Sequence, residues 1–108
     1  MLNHSIDPLL HAIADPTRRG MIERLTGGPV AVGRLAEGLP ISLPGVMQHL
    51  AVLESARLVT TEKVGRQRIV TLDPAPLRAL EGWAAAQRAA WERRLDGLAT
   101  YLDQTRGD

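Results

Sequence analysis

The chain has 108 residues, 44% of them hydrophobic and 23% charged, and no cysteine. This composition suits one folded domain rather than a disordered segment, and it excludes disulfides, thiolate metal sites and cysteine nucleophiles. The net charge is only +1, yet residues 15–72 hold eight Lys/Arg against five Asp/Glu, while residues 73–108 hold five against six, so the basic surplus lies mid-chain, where a phosphate-facing surface would need it.

Ser5 is placed to cap a first helix, in which Ile6, Leu9, Leu10 and Ile13 recur at i, i+3, i+4 and i+7. Asp15-Pro16 is a second start signal, a capping carboxylate followed by proline at the first helical position. Met21, Ile22 and Leu25 make that helix's inner face, and Gly27-Gly28 stops it. A third, short helix is expected over residues 30–37, with Val32, Leu35 and Ala36 inward, before a Gly38-Leu39-Pro40 turn. Ser42 caps a fourth helix that tolerates Pro44 in its first turn, because that amide has no helical partner. Its inner face is Val46, Leu50 and Leu53. Pro44, Gln48 and Ala51 lie opposite, with Met47 and His49 on the flanks.

Residues 58–64 read as a strand, Gly65-Arg66-Gln67 as a turn, and residues 68–72 (RIVTL) as the returning strand. The result is a two-stranded hairpin with a basic tip. Asp73-Pro74 then opens a last helix that nothing breaks before about Leu102, a span of roughly 40 Å. Leu77, Leu80, Ala84, Trp91, Leu95, Leu98 and Leu102 form its stripe, widened by Trp83, Ala90 and Tyr101. That stripe is longer than a three-helix core and a hairpin can cover, so part of it is expected to pack on a second copy of the chain.

A short helix, a turn and a second helix with a polar outer face make a helix-turn-helix, and the hairpin after it is a wing. In that arrangement the second helix enters the major groove. Gln48 offers both a donor and an acceptor to adenine, His49 suits a phosphate, and Leu43, Pro44 and Met47 suit thymine methyls. Arg66 and Arg68 at the hairpin tip suit phosphates or a narrow minor groove. The candidate DNA-binding set is thus Ser42, Leu43, Pro44, Met47, Gln48, His49, Lys63, Arg66 and Arg68. The candidate dimer interface is Ile6, Leu9, Leu10, Ile13, Trp83, Trp91, Leu95, Leu98 and Leu102.

The succession ADPTRRGMIERL, VGRLAEGLPIS, GVMQHLAVLESARLV and basic wing resembles the ArsR family of bacterial winged-helix repressors. The likeness is strongest from Ala14 to Asp73. It implies a mainly α fold with a small β-hairpin, a winged helix-turn-helix dimerising through its first and last helices. On that plan residues 1–108 are one domain, with a DNA-binding core at about 15–73 and dimerisation helices at about 5–14 and 74–103. It also implies a homodimeric repressor, autoregulation, and release of DNA on sensing a signal. Metal-sensing members carry Cys-x-Cys on the third helix, where this chain has Ala31 and Gly33, or Asp and His along the last helix, where no histidine follows His49. No metal site or cofactor carries over. The chain looks like the cysteine-free subgroup whose last helix bears W-x-x-x-L, here Trp91 and Leu95, but it has Met47 where family recognition helices often have Ser.

Several residues admit a plainer role. His4, Asp7 and His11 recur along one helix, but His4 and His11 are two turns apart, ~10 Å, too far to share one ion; they are read as surface. His49 either touches DNA or bonds the backbone of the preceding helix. Arg18 and Arg19 either reach the DNA backbone or are solvated, and Arg66 and Arg68 alternatively protect a hairpin edge. Trp83, Trp91 and Tyr101 are read as interface rather than effector pocket. Gln87 and Arg94 interrupt the stripe, fixing register or marking its solvent edge. No phosphate loop, G-x-S-x-G or carboxylate pair suggests catalysis. MLNHSIDPLL lacks the basic start and apolar run of a signal peptide, and no stretch nears the ~20 apolar residues of a membrane span, so a cytoplasmic protein is expected. The rival to DNA binding is a protein-interaction module, since winged helices serve both roles and Leu43, Pro44, Met47 and Ala51 would suit a protein groove. The effector, if one exists, is not identified by the sequence.

Overall fold

In the computed structural model, which describes residues 6–106, α1 (Asp7–Ile13) and α2 (Pro16–Leu25) lead into β1 (Val30–Ala31) and α3 (Val32–Ala36). The recognition-type helix α4 (Leu43–Ser55), strands β2 (Val59–Val64) and β3 (Gln67–Leu72), and the long α5 (Ala75–Arg106) follow. Ser5 and His4 lie outside the described residues, and Ile6 holds the cap position of α1.

Each later start signal acts through the side chain expected of it. Asp15 accepts from the Arg18 backbone N–H at 3.0 Å, Ser42 Oγ from Gly45 N at 3.3 Å, and Asp73 from Ala75 N at 3.0 Å. Each supplies an acceptor to a helix amide that has no partner inside its own first turn. The C-terminal end of α1 is held by arginines. Arg18 donates from Nε to Ala12 O (2.7 Å) and from Nη2 to His11 O (3.0 Å), and Arg19 from Nη1 to Ile13 O (2.7 Å). The three carbonyls lie in the last turn of α1, the negative end of its dipole.

α4 ends without the glycine or asparagine that normally marks a helix stop. Arg57 takes the left-handed conformation, φ 61°. Its N–H bonds Glu54 O (2.9 Å) and the next N–H, from Leu58, bonds Leu53 O (3.0 Å). That pair of bonds is a Schellman motif, and its usual apolar contact between the flanking residues is supplied by Leu53 and Leu58, both fully buried. Nothing in the sequence announced it.

Two expectations about the sheet need correction. Val30 and Ala31 are not the first turn of the third helix. They form β1, opposite Val70 and Ile69 of β3, so the sheet has three antiparallel strands in the order β1-β3-β2 rather than two. The reason is the open edge of β3, whose free N–H and C=O groups are satisfied by a neighbouring β-branched segment. The wing turn is also tighter than expected. Val64 pairs with Gln67, leaving only Gly65-Arg66 as the loop. Gly65 has φ +62° and Arg66 does not have positive φ, the sign pattern of a type II′ turn with glycine first.

The chain divides into two compact units, one running to Leu77 and one from Arg78 on. In the first, the largest fully buried side chains are Leu9, Met21, Leu35, Val46, Leu50, Leu53, Leu58 and Val70. They come from α1, α2, α3, α4, the link to β2 and β3, so all four helices of this unit share one core with the hairpin. Ile6 and Leu9, expected at a dimer interface, are part of it, at 4% and 2% exposure. The short α1 turns that edge onto the core and leaves Leu10 outside. In the second unit, α5 continues to Arg106, four residues beyond the expected end, and the whole helix contains no buried residue.

Candidate nucleic-acid interface

α3, the turn at residues 37–42 and α4 form the helix-turn-helix. The turn is braced by Arg24 of α2, whose Nη1 donates to Leu35 O (2.8 Å) and Glu37 O (2.6 Å). Gly38 sits in the bend with φ +80°, and a Cβ there would lie 3.1 Å from the Arg24 guanidinium. The glycine thus permits both the left-handed backbone and the close approach of the arginine.

Burying Val46, Leu50 and Leu53 forces the other side of α4 outward. Pro44, Gln48 and Ala51 are exposed, as are Leu43 (57%) and Met47 (41%). An apolar side chain left that open on the same face as Gln48 gains nothing from the chain's own core. Ser42 is exposed and uses an oxygen lone pair as the helix cap; its hydroxyl proton remains available.

His49 is half-buried and its Nδ1 accepts from Arg18 Nη1 at 3.1 Å. A guanidinium can only donate, so Nδ1 carries no proton in this bond and the neutral ring holds its proton on Nε2. His49 is thus tied to an α2 side chain rather than to the backbone of the preceding helix, and its remaining ring nitrogen is a donor. Arg18 and Arg19 both spend side-chain donors on carbonyls of α1. Arg18 also explains the carboxyl of Asp15, held below its ordinary range first by the hydrogen bond from the Arg18 N–H and further by the arginine's charge.

On the wing, Arg66 is at the tip, but Arg68 lies within β3, directly opposite Lys63. Arg68 Nη1 donates to Thr61 Oγ1 (3.0 Å), and Thr61 in turn donates to Glu54 Oε1 of α4 (3.2 Å). This chain of hydrogen bonds links the wing to the recognition-type helix and sets the direction of Arg68. A cleft lies between wing and helix-turn-helix, lined by Gly33 and Arg34 of α3, Leu43 of α4, and Arg66, Gln67 and Arg68. Arg34 was not singled out in the sequence. The only signal for it was a basic residue on the outer side of a short helix, which is also what an ordinary solvated arginine looks like.

A helix-turn-helix domain family matches residues 13–62. The transcriptional regulator Rv2034 of Mycobacterium tuberculosis is 45% identical over 104 residues, 96% of this chain and 94% of its own. The transcriptional repressor SdpR of Bacillus subtilis is 33% identical over 72 residues, covering 67% of this chain and 80% of its own. Among solved structures, an ArsR family transcriptional regulator aligns with 36% identity and a TM-score of 0.81, over 85% of this chain and 95% of its own. The chain belongs to the ArsR family. An ArsR-like regulator from Rhodococcus sp. RHA1 shares the fold over still more of the chain, with 26% identity and a TM-score of 0.86 over 94% of this chain and 93% of its own. The winged helix-turn-helix is thus an ArsR DNA-binding fold, and the chain is a transcriptional regulator. Among the described residues no helix is long and apolar enough to cross a membrane, and no group of three His, Asp or Glu is placed to hold a metal ion.

Proposed function

We propose that this ArsR-family chain is a cytoplasmic homodimeric repressor that reads an inverted-repeat operator with α4 and grips the DNA backbone with the wing. The observation that carries the reading is the outward face of α4: Leu43, Pro44, Met47 and Gln48 stand exposed on a helix whose other face is fully buried. Gln48 presents a donor and an acceptor to a base edge, and the apolar neighbours present methyl-sized surface, which is what the major groove distinguishes. His49 adds one donor, and Lys63, Arg66 and Arg68 supply positive charge alongside.

The dimer rests on a second feature. Trp83, Trp91, Leu95, Leu98 and Leu102 are exposed on α5, together with Tyr101. Leu10 and the half-buried Ile13 provide the outer edge of α1. A patch of that kind on a folded chain calls for a partner surface, and a second copy supplies the same patch under two-fold symmetry. Two recognition helices then enter successive major grooves about 34 Å apart. The role requires neither a cofactor nor a catalytic step.

The test is selection of bound sites from random double-stranded DNA with the purified protein. The expected product is an inverted repeat with half-sites about one helical turn apart. Gln48→Ala should then relax one base pair per half-site by ~1–3 kcal/mol. No enrichment at low salt, with the folded dimer verified, would replace DNA by a protein partner on the Leu43–Met47 face.

A further inference from the structure

Histidine is the side chain whose charge ordinarily changes between about pH 5 and 8, and α4 carries a single one, His49. The ring is half-buried, with Nδ1 3.1 Å from Arg18 Nη1. Arg18 has little freedom to yield. Its Nε donates to Ala12 O (2.7 Å) and its Nη2 to His11 O (3.0 Å), at the C-terminal end of α1, and a guanidinium does not give up its proton. The bond between the two residues thus joins a fixed, permanently charged donor to an acceptor that one proton can remove.

A second proton on the ring makes both its nitrogens donors. Two N–H groups then face each other across 3.1 Å, each on a cation. The other charges around α4 do not repair this. Asp15, at the cap of α2, lies close enough to feel both Arg18 and His49, and its carboxylate already accepts from the Arg18 backbone N–H. It can share the positive charge, but Nδ1 and the guanidinium remain donor against donor. α1 carries Asp7 and His11, both exposed, and His11 enters the arrangement through its backbone carbonyl. β2 reaches α4 farther along the helix, where Thr61 bonds Glu54, and its own Glu62 and Lys63 are exposed. The protonated ring must therefore turn off Arg18.

We infer that Arg18 and His49 form a latch on α4 that a proton opens, so that the protein distinguishes its operator from other DNA less well as pH falls. The inference rests on the DNA-reading of α4 given above. Its sign follows from two contributions. The charge gained by His49 attracts any duplex and adds alike to operator and unrelated DNA. The Nε2–H donor, held in one direction beside Gln48 while the latch is closed, serves the register bound on the operator, and losing its orientation weakens that complex alone. The common contribution cancels in the ratio of the two affinities, and the ratio falls.

The experiment measures binding to the selected operator and to an unrelated duplex of equal length at about pH 8 and about pH 5.5, with the fold verified by circular dichroism at both. In the wild type the ratio of the two affinities should fall about 5-fold per half-site on acidification, the low end of what one disturbed base pair costs. His49→Gln keeps an oxygen that can accept from Arg18 and has no proton to gain, so its ratio should stay level while His4 and His11 titrate as before. Nitrogen-15 spectra of the free protein should show the His49 ring unprotonated on Nδ1 at the higher pH and protonated on both nitrogens at the lower. A level ratio in the wild type, or an equal fall in His49→Gln, overturns the latch and leaves operator binding standing. A ring protonated on Nδ1 at the higher pH overturns it as well. If the wild-type protein binds neither duplex at either pH, the reading of α4 itself fails and takes this one with it.

Discussion

The two units of the chain use apolar residues in opposite ways. Up to Leu77, the inner faces of the helices go into the core, with Leu50, Leu53 and Leu58 at 1% exposure or less, while Leu10, Leu43, Met47 and Val64 stay outside it. Along the 32 residues of α5 none is buried, and Trp91 and Leu98 stand at 60% and 53% exposure. Both regions carry the same periodic signal, so periodicity identifies a face but not what covers it. The difference is one of neighbours. α4 has α1, α2 and β2 against it, whereas Trp91, Leu95, Leu98 and Leu102 of α5 are exposed.

The largest effect should come from the first unit. Leu53→Ala removes a fully buried side chain and is expected to cost about 2–5 kcal/mol of unfolding free energy in urea titration, as cavity-forming substitutions do. Trp91→Ala on α5 should leave that unit folded and instead raise the dimer dissociation constant about 30-fold or more, measured by sedimentation equilibrium, in the range of an interface hot spot. If Trp91→Ala dimerises like the wild type, the contrast between the units loses its meaning and the stripe serves something else.

A smaller effect tests a link inside the first unit. Arg18→Met breaks bonds to His11, Ala12 and His49 and should cost about 1.5–3 kcal/mol of stability. On operator binding it should be non-additive with His49→Ala, because the arginine reaches DNA only by orienting the histidine. Full additivity would reduce the Arg18–His49 bond to simple bracing. The smallest effect is in the pH dependence. The carboxyl of Asp15 titrates below its ordinary value of 3.8 in the folded protein. Its cap therefore contributes fully above that value and is lost as pH falls through the lower folded one. The stability gap between wild type and Asp15→Ala should be constant from about pH 5 to 8 and close on acidification; a gap that persists at low pH would mean the carboxylate charge is not what caps α2.

Much of the fold was legible. Asp15-Pro16, Ser42 and Asp73-Pro74 signal helix starts through local chemistry, and each does what its side chain allows. The inner faces Met21-Ile22-Leu25 and Val46-Leu50-Leu53 followed from spacing alone. The misses have a common cause. β1 is two residues long, too short for a period of its own, and exists because β3 had an open edge. Arg57 ends α4 by a conformation that an arginine accepts only because Leu53 and Leu58 are locked in the core on either side. Arg18 and Arg19 look like solvated or DNA-facing charges in sequence, and only their distances to carbonyls show them, with Arg24, to be braces.

For the candidate site, the sequence determined which residues α4 turns outward, because once Val46, Leu50 and Leu53 are buried the helical period leaves Pro44, Gln48 and Ala51 opposite them. It also determined that charge would follow on the wing. Only the tertiary structure decided which cations are spent and which are free, that His49 accepts from Arg18 and so holds its proton on Nε2, and that Arg34 meets Arg66 and Arg68 in one cleft. A helix or strand period is fixed by bonds within a few residues. A side-chain partner is fixed by whichever group the fold brings within about 3 Å, and residue order carries no direct record of that distance.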